Sequence, residues 1–136
     1  MTDRIRASFA QQGMMSTIGA EIEQIGAGRV IIALRMHERL SQQHGFVHAG
    51  AVISALDSAC GYAALTQLPD DTDVVTAELK VNLLGPAVGD RIVAEGEVVR
   101  AGRTLIVCRG DAYAERAGER THVATMLASM VRRSPA

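Results

Sequence analysis

The sequence predicts an α+β domain in which one long central helix is wrapped by a curved antiparallel β-sheet of about five to six strands. Three observations carry that prediction. Residues 49–67 form one run of small and apolar side chains of helical length. Four strand-like runs follow at 73–84, 90–100, 103–114 and 120–132, separated by Gly85-Pro86, Ala101-Gly102 and Ala117-Gly118 as turns. The chain has 136 residues and is 48% apolar, enough for a single core that buries roughly two-thirds of the unfolded surface.

In chain order, residues 3–12 read as a short helix with Ile5 and Phe9 on one face, so that 1–14 is an N-terminal extension of a single domain, 1–136. Residues 14–25 read as extended, and Ala27-Gly28 turns them back into a strand at 29–36. Residues 37–47 form an irregular polar loop ahead of the long helix. Pro69 ends that helix, because it disfavours a helical residue before it. Ala51, Ala55, Ala59, Gly61, Ala63 and Ala64 allow a sheet to approach the helix closely. In the next strand, Val75, Ala77, Leu79, Val81 and Leu83 alternate with Thr76, Glu78, Lys80 and Asn82 on the opposite face.

Composition excludes several classes. A net charge of -1 and a pI near 6.4 give no general attraction for nucleic acid, and the lack of Trp removes the usual base-stacking platforms. No apolar run approaches eighteen residues, and Met1-Thr2-Asp3-Arg4-Ile5-Arg6 lacks a signal core. The expectation is a cytoplasmic protein with no membrane partner, in which Cys60 and Cys108 are free thiols without a CxxC pair. His44 and His48 have an i,i+4 spacing, but Gly45 interrupts the shared face and a zinc site needs three or four ligands. No metal and no cofactor are expected.

The chemistry centres on Asp57. Between residues 51 and 65 it is the one side chain of ordinary acidity, and Asp is a poor residue for a buried helix. A helix that keeps it there is using it. Ser54 and Ser58 stand one turn before it and next to it. The helix start offers free N–H groups and the positive dipole end to a developing oxyanion. Cys60, mid-helix and apolar in its surroundings, reads as a structural thiol.

The order of these features resembles a known family. His48-Ala49-Gly50 opens the helix, with Asp57 seven residues beyond Gly50. Further on come Thr76 on a strand and the run Asn82-Leu83-Leu84-Gly85-Pro86-Ala87. A hairpin around Ala101-Gly102 and the strand Val123-Ala124-Thr125-Met126 complete the pattern. Together these resemble the hotdog-fold acyl-CoA thioesterases, specifically the PaaI-like, phenylacetate-degradation type of the 4-hydroxybenzoyl-CoA thioesterase superfamily. The resemblance implies a hotdog fold and hydrolysis of an aryl- or medium-chain acyl-CoA. It makes Asp57 the general base or nucleophile, and gives Ala49 and Gly50 the turn whose N–H polarises the carbonyl. His48 stands at the family's motif histidine, and Gln42 at an amide residue near the carbonyl or the water. It also implies that Thr76 reaches the site from a partner subunit, hence a homodimer and a dimer of dimers. Ala49 stands where a second glycine is usual, and Gln42 where Asn is common.

Arg100 and Arg103, with Arg132 and Arg133, are the basic residues near turns or the C-terminus that could meet the CoA phosphates. Few aromatics suggest an acyl pocket lined by Ile53, Leu56, Leu83 and Leu84. The alternatives are a hotdog dehydratase or hydratase acting on acyl thioesters, and a non-catalytic acyl-CoA-binding module.

Overall fold

Two short helices, α1 (Thr2–Ala10) and α2 (Gly13–Ile18), lead into β1 (Ala20–Gly26) and β2 (Arg29–Arg35) in the computed structural model, which describes residues 1–134. A 3-10 turn at Glu38–Leu40 precedes the long helix α3 (Ala49–Leu65). Four strands follow: β3 (Asp73–Leu83), β4 (Arg91–Ala101), β5 (Leu105–Arg116) and β6 (Glu119–Arg133). They form one antiparallel sheet in the order β1-β2-β4-β5-β6-β3. Helix α3 touches every strand, which requires the sheet to wrap around it. This is the hotdog architecture that the sequence predicts.

The close approach is made by glycines on the sheet. A Cβ added to Gly96 would lie 2.4 Å from the carbonyl carbon and oxygen of Ala59, a contact with helix backbone that no side-chain motion relieves. At Gly110 the added atom would meet Cys60 and Leu56 side chains at 3.1 Å. Gly96→Ala is therefore expected to destabilise the fold by about 3 kcal/mol, the upper range of overpacking costs. Urea unfolding checks this: a lower midpoint at unchanged slope is the expected result.

Three local readings are corrected. First, part of the segment expected to be extended is α2. Met15 and Ile18 are three residues apart and both buried, and Gly19 closes the turn in the left-handed region at φ 70°. Burial of that one face outweighs the weak local signal.

Second, Gly85-Pro86 is not a hairpin turn. β3 pairs with β6, while β4 sits between β2 and β5. The connection instead crosses the end of the sheet, where the Leu84 N–H donates to the Val123 carbonyl (2.8 Å) and the Val47 N–H to the Ala87 carbonyl (3.0 Å). Third, β3 does not alternate without a break. Thr76 opposes Met130 and Glu78 opposes Ser129, so Ala77 is a bulge. Before it Val74 packs on the core and Thr76 bonds α3; after it Leu79 and Val81 pack inward.

The N-terminal segment is part of the packed structure. Ile5 is 1% exposed, and the Arg4 guanidinium donates to the carbonyls of Leu68 (3.4 Å), Pro69 (3.0 Å) and Thr72. These bonds fasten α1 to the loop that joins α3 to β3.

Candidate active site

Asp57 lies midway along α3, half-buried, on the wall of a cavity of about 220 Å3. Ser8, Gln12, Ser58, Tyr62 and Thr76 share that cavity. The Thr76 hydroxyl donates to Asp57 Oδ1 at 2.7 Å. An ionised carboxylate only accepts, so this bond orients the group and leaves Oδ2 able to receive a proton from water. The bulge at Ala77 belongs to this geometry, because it puts both Thr76 and the later Leu79 and Val81 on the helix side.

The structure departs from expectation around this carboxylate. Thr76 is on the same chain as the Asp57 it bonds, not delivered by a partner. Ser54 donates instead to the Gly50 carbonyl (2.7 Å) and Ser58 to Gln12 Oε1 (3.1 Å), so neither serves Asp57. Within one chain, the four aliphatic side chains expected to line an acyl pocket do not converge on Asp57. Leu56 is fully buried against the sheet, whereas Asp57 one residue on points about 100° away around the helix. Ile53 packs partly buried on the core, and Leu84 is exposed. Leu83 belongs to a different cavity.

That second cavity, about 270 Å3, lies at the start of α3 and includes Gln42, His48, Ala49, Val52 and Leu83. His48 is the helix N-cap, its Nδ1 accepting the Gly50 N–H at 2.7 Å. Of the two candidate oxyanion donors, Gly50 is thus occupied by the cap. The Ala49 N–H has no protein acceptor among the described residues. Gln42 Oε1 accepts the His44 N–H, which holds the 42–46 turn.

Arg100 and Arg103 are exposed at the β4–β5 hairpin and do not line the Asp57 cavity. Arg132 is committed to the Gly102 carbonyl at 2.9 and 3.1 Å. Cys60 and Cys108 are buried and unpaired. Burial pushes the Cys108 thiol up to about 11, and burial with the nearby Cys108 raises Cys60 further, so both stay protonated. Among the described residues no three His, Cys, Asp or Glu side chains converge as metal ligands, and no helix is long and apolar enough to cross a membrane.

Ser8, Gln12 and Tyr62 escaped the sequence reading. The available signal was Tyr62 itself: a phenol in a helix of alanines needs a polar partner when buried.

Residues 44–121 match the family model of the Thioesterase superfamily. An esterase-named protein of Saccharolobus solfataricus is 36% identical over 90 residues, covering 66% of this chain and 64% of its own length, a little under two thirds. The 1,4-dihydroxy-2-naphthoyl-CoA hydrolase of Listeria monocytogenes is 25% identical over 95 residues, 70% of this chain and 77% of its own. Among solved structures, a thioesterase family protein from Silicibacter pomeroyi is 46% identical and superposes with a TM-score of 0.96 over 98% of each chain. With the family model spanning more than half of its length and the fold in agreement, the chain belongs to the Thioesterase superfamily.

Proposed function

We propose that this protein hydrolyses acyl-CoA thioesters to a carboxylic acid and free CoA. The observation that carries the reading is the oriented carboxylate of Asp57, held by Thr76 on the wall of an open cavity. Hydrolysis joins a water oxygen to the acyl carbon and breaks the C–S bond, and the sulfur leaves as a thiol after gaining a proton. It needs a base or nucleophile and a donor for the oxyanion. Asp57 supplies the first, and the Ala49 N–H the second. A CoA ester is the thioester of choice because the Listeria relative acts on one by name.

One chain cannot apply both groups to the same carbonyl. Ala49 and Asp57 are eight residues apart on α3, which is about 12 Å along the axis. A donor must come within about 3 Å of the oxyanion, with the attacking atom about 3–3.5 Å from the carbonyl carbon. Two copies resolve this. The outer edge of β3 carries no strand among the described residues, and along it Val75 (50%) and Leu83 (55%) stand exposed. Pairing β3 antiparallel with a second β3 sets the Asp73–Thr76 end of one copy beside the Leu83 end of the other. The Asp57 cavity adjoins the first end and the Ala49 cavity the second. Each site of the homodimer then draws Asp57 and Thr76 from one copy, and Ala49 with the Gln42 amide N–H from the other.

Thiol release from a panel of alkyl- and aryl-CoA esters, followed with DTNB, tests the activity. Cys60 and Cys108 are buried, so the native protein is expected to give no DTNB signal of its own, and both thiols should titrate only after denaturation. Released thiol supports hydrolysis. Hydration of the acyl chain with the thioester intact, or binding of every ester without turnover, contradicts it.

A further inference from the structure

The wall of the Asp57 cavity opposite Thr76 is built by the N-terminal segment. Ser8 on α1 and Gln12 between α1 and α2 face Ser58 and Tyr62 of α3. The segment is held there by the Arg4 bonds to the 68–72 loop, by buried Ile5, and by Phe9, whose ring meets Tyr62 edge-on at 6.0 Å. The Gln12 amide is oriented from both ends. Its Oε1 accepts from the Ser58 hydroxyl (3.1 Å), and its Nε2 donates to the Tyr62 hydroxyl (2.8 Å). A third bond, 3.0 Å long, links the Tyr62 and Ser8 hydroxyls.

Counting hydrogens shows what this wall can still donate. Gln12 brings two donor hydrogens, and Ser8, Ser58 and Tyr62 bring one each. The three bonds use three of these, whichever way the Ser8–Tyr62 bond points. One hydrogen on Gln12 Nε2 and one on the Ser8–Tyr62 pair are left without a protein acceptor among the described residues. These two donors, beside unused lone pairs on the Ser8, Ser58 and Gln12 oxygens, face a cavity of which one chain walls about 220 Å3. Asp57 and Asp73 also line the cavity, so an acyl group ending in a carboxylate meets like charge.

We propose that Gln12, with Ser8 and Tyr62, determines specificity: it hydrogen-bonds a neutral oxygen acceptor at the distal end of a short acyl group. The proposal rests on Asp57 being the hydrolytic centre, since that places the acyl group in this cavity. A hydrocarbon group of the same size leaves the donors unpaired, which is how a polar site rejects an isostere.

Two esters test it: a six-carbon acyl-CoA with a keto oxygen near its end, and the methyl-branched ester of the same shape. Wild type is expected to favour the keto ester in kcat/KM by about tenfold, and Gln12→Met, similar in size but without a donor, to abolish most of that preference. The ratio of the two esters is insensitive to the fraction of folded enzyme. Equal rates in wild type, or an unchanged ratio in Gln12→Met, overturns the proposal. The dissociation constants of the non-hydrolysable thioether analogues give a second readout. Turnover of other esters in the panel but of neither of these overturns the proposal, whereas no turnover of any ester means that the hydrolytic reading fails. The analogues then decide specificity alone: a keto preference lost in Gln12→Met supports it, and equal affinities overturn it.

Discussion

Asp57→Asn is expected to lower kcat by about 10²–10⁴-fold with little change in KM, the size of effect seen when a positioned acid–base group is removed. Asn keeps the shape of the side chain and an Oδ1 that can accept the Thr76 hydroxyl, so the local structure survives. Circular dichroism and a thermal melt serve as the control. Steady-state kinetics within a few-fold of wild type would remove Asp57 from the chemistry.

Ala49→Pro is expected to cost about 10²–10³-fold in kcat, the loss typical of one oxyanion donor. The substitution removes a single N–H and little else. Ala49 is the first residue of α3, a position that favours proline, and its N–H carries no helical bond. His48 before it is extended at φ -60° and ψ 138°, as the residue preceding a proline prefers. A melting temperature close to wild type is the expected companion result. Intact kcat would mean that another group stabilises the oxyanion.

What could be read from sequence is what depends on neighbours along the chain. The small-residue run of α3, its start at His48-Ala49-Gly50 and its end before Pro69 are local, and each stands where expected within two residues. The β4–β5 and β5–β6 hairpins are local too, marked by Ala101-Gly102 and Ala117-Gly118. Choices made between distant segments were hidden. Nothing near Gly85 says that β3 will pair with β6 and leave β4 for the centre of the sheet. No residue type marks the bulge at Ala77, yet the bulge decides which β3 side chains face α3.

The site divides along the same line. Asp57 was legible because a lone carboxylate in an apolar helix is costly unless used. The Thr76 contact spans 19 residues and the Gln12 contact with Tyr62 spans 50, so neither leaves a trace in local pattern. His48 shows the limit from another side. Its place at the motif suggested chemistry, and in the fold one of its two ring nitrogens, Nδ1, caps the helix.

The shared site is tested most directly by complementation between the two disabled chains. Asp57→Asn and Ala49→Pro subunits are co-expressed with different tags, and the mixture is assayed against each parent. Random pairing makes about half of the dimers mixed, each with one of its two sites intact, so the mixture should recover about a quarter of wild-type activity. A mixture that forms mixed dimers yet shows only the sum of its parents would contradict a site built from two copies.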